Sequence, residues 1–363
     1  MFYSTDARVK GVDGVEVEPY ELHLVHWVDD ILISYTEGNP DYELLVAAMR
    51  ARFELTGGDE ANWILNQEII RDDEKNVLLL SQRAHIRQLC EKVYGSAQYT
   101  KGDVKTVLPA KYEPSKLDSP QDEAGKRELQ PMAAKFRAVL GSCLWVACQT
   151  RPDAQFAVGA LGRKAANPSK ADWKALKHLV AYLSSTEDLC LGWRKNVPPG
   201  DDQLILYCDS DFGGDKDTSR STSGNVALYH GGVLAHESKR QPLVAMSTME
   251  AELISLCTTG LTAVYLRELA KDFNIKLGGP SPVMEDNQSA ICVAESEMIS
   301  RRARHIPRRY FKVRELISGD DPDIKVQYIK SALNCSDQLT KNLSEELLVL
   351  HRNKMLVSRV GIG

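Results

Sequence analysis

Hydrophobic and polar positions fall into a succession of distinct textures along the chain. Residues 22–34, LHLVHWVDDILIS, form an apolar run broken by the adjacent carboxylates Asp29 and Asp30. Two short strands joined by a tight acidic turn fit this run. Helical spacing follows at 41–53 and 82–93, with strand-like stretches at 63–69 and 77–80 between them. The segment 105–126, KTVLPAKYEPSKLDSPQDEAGK, carries Pro, Ser and charge without apolar periodicity, the texture of a linker. Helices are expected at 132–148, 152–166 and 170–185; in the first, Phe136, Leu140, Leu144 and Ala147 recur at three- and four-residue spacing.

From Gln203 the pattern turns to strands, at 204–209, 225–230 and 233–238, with Gly231-Gly232 as a hairpin signal. Ser247 followed by Glu250 is a capping-box signature that opens a long helix reaching about Phe273. A strand ending at Asp286, a basic segment at 301–314, a strand at 324–329 and a short helix near 336–343 follow. Strands and helices in this order, without regular βαβ alternation, predict an α/β domain with a mixed sheet.

Composition changes this picture little. The 363 residues are 43% hydrophobic and 26% charged, enough for two or three domains with real cores. The formal charge is −5, so a polyanionic partner has to be met by a local basic patch. No apolar run approaches the ~20 residues of a membrane span, and the first residues lack the apolar core of a signal peptide. The 8 cysteines are scattered without a CxxC pair, which fits reduced core residues in an intracellular protein. No GxxxxGK loop or GxSxG elbow points to an NTPase or a serine hydrolase. His23 and His26 have HxxH spacing, but on a strand they face opposite sides.

Four carboxylates hold positions that suit a metal site. Asp209 ends a strand, Glu252 lies in the first turns of the long helix, Asp286 ends a second strand, and Asp337 opens the last helix. Converging there, they would repel one another, and divalent cations relieve such repulsion. Spacing alone does not separate this arrangement from solvated surface acids.

The strings YCDSDFGGD (207–215), STMEAEL (247–253), EDNQSAI (285–291), ARHIPRRYFKVRE (303–315) and DQLTK (337–341), in this order, resemble the ribonuclease H domain of copia-type LTR retrotransposon polyproteins. The resemblance implies that Asp209, Glu252, Asp286 and Asp337 bind two Mg²⁺ ions, with Mn²⁺ as substitute, and that the domain cuts the RNA strand of RNA–DNA hybrids. It implies Asp209 as the bridging ligand. Glu250 is the alternative to Glu252 but reads as the cap residue, and Asp211 is the weaker partner on the first strand. His305 is a candidate auxiliary residue. Arg308, Arg309 and Lys312 are expected on the outward face of a helix begun by Pro307, with Tyr310, Val313 and Ile317 inward, where they would follow phosphates alongside Arg301 and Arg302.

Upstream, 136–161 and 167–188 resemble the segment joining polymerase to ribonuclease H in this family, and 52–69 with 78–93 resemble the end of its palm and its thumb. HWVDDILI (26–33) resembles the polymerase YVDD hairpin, with Trp27 where tyrosine is usual; Asn66 stands for a usual glycine and Ser336 for a usual alanine. The family's polymerase needs a third aspartate and fingers ahead of this hairpin, so Asp29 and Asp30 are expected to form a polymerase remnant without DNA synthesis. The expected organisation is a palm and thumb remnant at 1–104, a linker at 105–131, a helical connection at 132–200, a ribonuclease H-like mixed five-stranded sheet flanked by helices at 201–345, and a tail at 346–363. The contrasting expectation is an inactive or domesticated retroelement fragment that at most binds nucleic acid. An intact parent element implies the rest of a polyprotein as partner and a cytoplasmic, nuclear or virus-like-particle location.

Overall fold

The computed structural model describes residues 2–4, 21–57, 60–296, 298 and 303–360. The chain divides into two compact units, Met1–Ile69 with Leu266–Leu277, and Ile70–Tyr265 with Gly278–Gly363.

In the first unit, β1 (Phe2–Ser4), β2 (Leu22–Trp27) and β3 (Asp30–Tyr35) form an antiparallel sheet. The β2–β3 turn is Val28-Asp29, so Asp30 opens β3 opposite Trp27. α1 (Pro40–Arg50) begins where the Asn39 side chain accepts from the Asp41 amide at 2.9 Å and Pro40 supplies a preset φ. β4 (Trp63–Ile64) turns into β5 (Gln67–Asp72) through Leu65 and Asn66 at φ 48° and 61°. A two-residue hairpin demands this left-handed backbone, which explains why an asparagine can stand where glycine is usual. Trp27, Leu44, Phe53 and Trp63 are exposed, and α1 buries none of its residues.

The second unit runs through β6 (Val77–Ser81), α2 (Arg83–Tyr94), α3 (Glu123–Gln149), α4 (Gln155–Gly162), α5 (Lys170–Ser185) and β7 (Leu189–Arg194). It continues with β8 (Ile205–Ser210), β9 (Thr222–Tyr229), β10 (Gly232–Arg240), α6 (Thr248–Asp272) as far as Tyr265, β11 (Ser281–Glu285), α7 (Gln288–Glu295), α8 (Lys312–Ile317), β12 (Ile324–Tyr328), α9 (Glu345–Met355) and β13 (Val357–Ser358). Helices α2 to α5 share one apolar core that includes Ile86, Leu89, Phe136, Val139, Leu161, Leu176 and Leu179.

Three local expectations change here. The segment read as a linker places Val107 and Leu108 in that core. Its helix starts at Glu123 because Asp122 caps it, accepting from the Gly125 amide, while Pro131 is carried inside. Arg127, whose carbonyl Pro131 leaves unbonded, is exposed to water. The end of the expected connection forms β7, which pairs antiparallel with β6 and with β13. The stretch expected as a tail forms α9 and β13, burying Leu348, Met355 and Leu356.

The remaining strands form a five-stranded sheet in the order β10-β9-β8-β11-β12. β8, β9 and β10 are an antiparallel meander, and β11 lies parallel between β8 and β12. This is the ribonuclease H-like mixed sheet. Its central strands are buried, and the neighbouring parallel strands β8 and β11 point their C-terminal ends the same way, which is where an open α/β sheet builds its site.

Candidate metal centre

Parallel pairing of β8 and β11 matches Leu206 with Val283 and Tyr207 with Met284. Two residues further along each strand come Asp209 and Asp286, side by side at the sheet end. Helix α6 is fastened over them by Ser255 Oγ, which donates to the Asp209 carbonyl at 2.8 Å and places Glu252, one turn earlier, beside the pair. Asn334 donates through Nδ2 to the Cys208 carbonyl at 2.8 Å and accepts from the Ser336 amide at 3.3 Å, opening the 3₁₀ turn Cys335–Leu339 that presents Asp337. Ser336 Oγ donates to the same Asn334 oxygen at 2.6 Å, a role that the usual alanine lacks. Thr340 Oγ1 donates to Asp209 Oδ2. The turn approaches β9 closely because of Gly224, where a Cβ would lie 2.8 Å from the side chains of Leu339 and Thr340.

All four sequence-predicted carboxylates therefore come to one place. Ligand oxygens of Asp209, Asp286 and Asp337 lie within 4.8 Å of one another, as do those of Glu252, Glu285 and Asp286. Asp286 belongs to both groups. Glu285 is the acid that sequence reasoning missed. It is fully buried and accepts from the Asn287 amide at 2.9 Å and the Cys208 thiol at 3.2 Å. Its signal lay in strand alternation: Ser281, Val283 and Glu285 face inward, so a charge stands where β11 calls for an apolar side chain.

Burial and mutual repulsion disfavour so much negative charge. Burial first, then the carboxylates of Glu285 and Asp209, push Glu252 up to about 10. Burial pushes Glu285 up to about 8 against its amide and thiol donors. Burial and then Asp209 raise Asp337 to about 7. Asp209 is raised by burial, although Lys341 opposes this. The Lys341 ammonium stands 3.6 Å from Asp209 and 3.2 Å from Asp337. Glu252 Oε2 and Asp337 Oδ1 are buried without a hydrogen-bond partner among the described residues. An all-oxygen donor set with excess charge and orphaned oxygens fits hard divalent cations such as Mg²⁺ or Mn²⁺.

Comparison with known proteins places the sequence. The Retrovirus-related Pol polyprotein from transposon TNT 1-94 of Nicotiana tabacum is 31% identical over 344 residues, 91% of this chain and 24% of that protein. The corresponding polyprotein from transposon RE2 of Arabidopsis thaliana is 27% identical over 326 residues, 89% of this chain and 21% of that protein. These relatives are Pol polyproteins of Ty1/copia-type transposons, and this chain is similar to them over about nine-tenths of its length. It spans about a quarter of the length of these two curated relatives. Secreted RxLR effector protein 161 of Plasmopara viticola is 35% identical over 131 residues, 36% of this chain and 90% of that protein. No protein-family model matches the chain. A solved ribonuclease H1, LC11-RNase H1 isolated from compost, covers 38% of this chain and 93% of its own at 14% identity and a TM-score of 0.31.

The other residues singled out in the sequence lie apart from the carboxylates. Asp211 accepts from the Thr222 amide, is raised to about 6 by burial, and joins neither carboxylate group. Glu250 accepts from the Met246 amide at 2.7 Å while its own amide donates to Ser247 Oγ at 3.1 Å, so it acts at the start of α6. His305 Nε2 lies 3.2 Å from Glu250, not among the metal-capable acids. Pro307 precedes a 3₁₀ turn, Arg308–Phe311, that runs into α8; Tyr310, Val313 and Leu316 are buried, so Leu316 takes the inward place expected of Ile317. Arg308, Arg309 and Lys312 are exposed, with Arg309 donating to Tyr310 Oη at 2.8 Å and Lys312 paired with Glu315. Arg301 and Arg302 lie outside the described residues. In the first unit, Asp29 and Asp30 are exposed at the hairpin tip and belong to no metal-capable group among the described residues.

Proposed function

We propose that the carboxylate centre of the second unit hydrolyses the RNA strand of RNA–DNA hybrids, leaving 3′-hydroxyl and 5′-phosphate ends. The observation that carries this reading is the convergence of five acids on the ends of two neighbouring parallel strands, with two buried oxygens left unpartnered. Asp209, Asp286 and Asp337 would hold one divalent ion, and Glu252, Glu285 and Asp286 a second. Such ions would supply an activated water and charge stabilisation of the leaving oxygen.

The chain's own residues do the positioning. Ser255 and Asn334 fix the Asp209 and Cys208 backbone and so hold the strand end that carries the acids in place. Lys341 offsets part of the charge on Asp209 and Asp337. Arg308, Arg309 and Lys312 offer phosphate contacts on a neutral-to-acidic chain. No DNA synthesis is assigned to the described residues, among which Asp29 and Asp30 belong to no metal-capable group.

The test is cleavage of a labelled hybrid in Mg²⁺ or Mn²⁺ by the full chain and by Asp209→Asn. Cleavage by the parent chain and its loss in a variant that melts cooperatively supports the reading; metal-dependent cleavage retained by Asp209→Asn refutes it. A primer-extension assay yielding template-directed product would refute the polymerase statement alone.

A further inference from the structure

The hydroxyl of Thr340 has one proton and two acceptors within reach. Oγ1 lies 3.0 Å from the Asp337 carbonyl and also meets Asp209 Oδ2. The carbonyl already accepts from the amides of Thr340 and Lys341, at 3.1 and 3.2 Å, which occupies both of its lone pairs. A carboxylate is in any case the stronger acceptor, so the proton goes to Asp209. Ser255 fixes the Asp209 backbone, and Thr340 holds its side chain. Lys341, 3.6 Å from the same carboxylate oxygen and half-exposed, adds charge at longer range.

A glycine on the neighbouring strand aims this hydroxyl. Gly224 pairs with Asp209 across β9 and β8, so the two positions look out on the same face of the sheet. A Cβ at Gly224 would lie 2.8 Å from Thr340 Cγ2 and 3.0 Å from the Ser336 carbonyl. The bare position therefore receives the threonine methyl directly beside the Asp209 carboxylate. A β-branched side chain whose methyl is seated has little freedom left at χ1, and Thr340 is fully buried, so Oγ1 stays turned to Oδ2. The turn is itself pinned to β10 by Ser238 Oγ, which donates to the Leu339 carbonyl. Engaging Oδ2 sets the plane of the Asp209 carboxylate, and with it the direction in which both oxygens offer their remaining lone pairs.

We propose that Thr340 is a positioning residue of the metal centre: its hydroxyl sets the rotamer in which Asp209 meets a divalent cation, and Gly224 sets the rotamer of Thr340. The role rests on the metal reading of the carboxylates given above. It deepens that reading by assigning the orientation of one ligand to a side chain outside the acidic set.

The experiment titrates the full chain with Mn²⁺ in the absence of nucleic acid, reading free Mn²⁺ by its electron paramagnetic resonance, and measures hybrid cleavage alongside. Thr340→Val keeps the shape and the methyl but removes the donor, whereas Thr340→Ser keeps the donor and removes the methyl. Thr340→Val is expected to weaken Mn²⁺ binding about tenfold, and Thr340→Ser to stay within about threefold of the parent. Thr340→Ala, which sets no methyl against the carboxylate, repeats the test if the Thr340→Val chain does not melt cooperatively in EDTA. Parent-like Mn²⁺ affinity without the donor overturns the assignment. So does equal weakening in Thr340→Val and Thr340→Ser, which would place the effect in packing rather than in the hydroxyl. A parent chain that binds Mn²⁺ but cleaves no hybrid refutes hydrolysis alone, since the affinity ratio is still read. Cleavage by the parent with unchanged affinity in Thr340→Val refutes the positioning role alone, and a parent chain that binds no Mn²⁺ refutes both.

Discussion

Lys341 Nζ stands 3.2 Å from Asp337 Oδ2, one turn along the chain, and the same ammonium faces Asp209 at 3.6 Å. Burial disfavours a charged lysine, yet Asp209 and then Asp337 outweigh it and hold the ammonium above its ordinary range. The lysine is thus the counter-charge for half of the centre. Lys341→Met should lower metal-free stability by about 1 kcal/mol, a value discounted for a half-exposed side chain. Millimolar Mg²⁺ should restore most of that loss, because a cation replaces the missing charge without having to displace the ammonium. Urea denaturation in EDTA and in Mg²⁺ checks both halves; equal losses in the two buffers would show that Lys341 acts through packing alone.

A second consequence concerns pH. Glu285 at about 8 and Glu252 at about 10 titrate in the folded chain far above their unfolded values near 4.5. Between those limits the folded state binds more protons than the unfolded one, so stability falls as pH rises. Buried histidines act in the opposite sense, but only below about pH 6.5. In EDTA, stability should therefore fall between pH 7 and 9 by about 1 kcal/mol per pH unit, and Mg²⁺ should flatten the curve. Glu252→Gln removes much of the slope. Denaturant melts across this range measure it, and a flat EDTA curve would mean that the acids are not held protonated.

The sheet and the four carboxylates were legible because each sits where a strand or helix signal ends: Asp209 and Asp286 close apolar runs, Glu252 follows a capping signal, and Asp337 opens a turn. Glu285 was not legible in the same way, since its meaning comes from β11 facing inward against Cys208 and Glu252, a tertiary fact. Low apolar periodicity concealed Val107 and Leu108, two isolated side chains that reach a core built by other helices. Strand β7 was masked by its place after a long helical run, and its partners come from both ends of the second unit.

His351 is fully buried, and neither ring nitrogen has a hydrogen-bond partner among the described residues. Burial, then the neighbouring ammonium groups of Lys354 and Lys341, lower it to about 4. The unfolded imidazole takes up a proton near pH 6.5 while the folded one resists, so its contribution is lost as pH falls from about 6.5 toward 4. His351→Leu should stabilise the chain by about 1 kcal/mol at neutral pH, where an unsatisfied polar ring is replaced by an apolar one, and by more at pH 5. Parallel melts at pH 7.5 and 5 test this, and an advantage that shrinks in acid would contradict it.

The C-terminal segment gives the sharpest structural test. Removing residues 345–363 deletes α9 and β13, uncovers the apolar positions that Leu348, Met355 and Leu356 fill, and leaves one edge of β7 unpaired. Leu348 belongs to the helical core and Met355 with Leu356 to the cluster containing Val226 and Leu339, so the segment ties the helices to the sheet that carries the carboxylates. At roughly 2 kcal/mol for each fully buried large apolar side chain, the loss is several kcal/mol, a large part of an ordinary domain's stability. A chain ending at Ser344 should therefore expose apolar surface, seen as dye binding, and lose hybrid cleavage even though Asp209, Glu252, Glu285, Asp286 and Asp337 are all retained. Limited proteolysis of the full chain should correspondingly leave a resistant product spanning β6 to β13 rather than one ending near residue 345. A truncated chain that melts like the parent would show that the helices and the sheet do not depend on this segment.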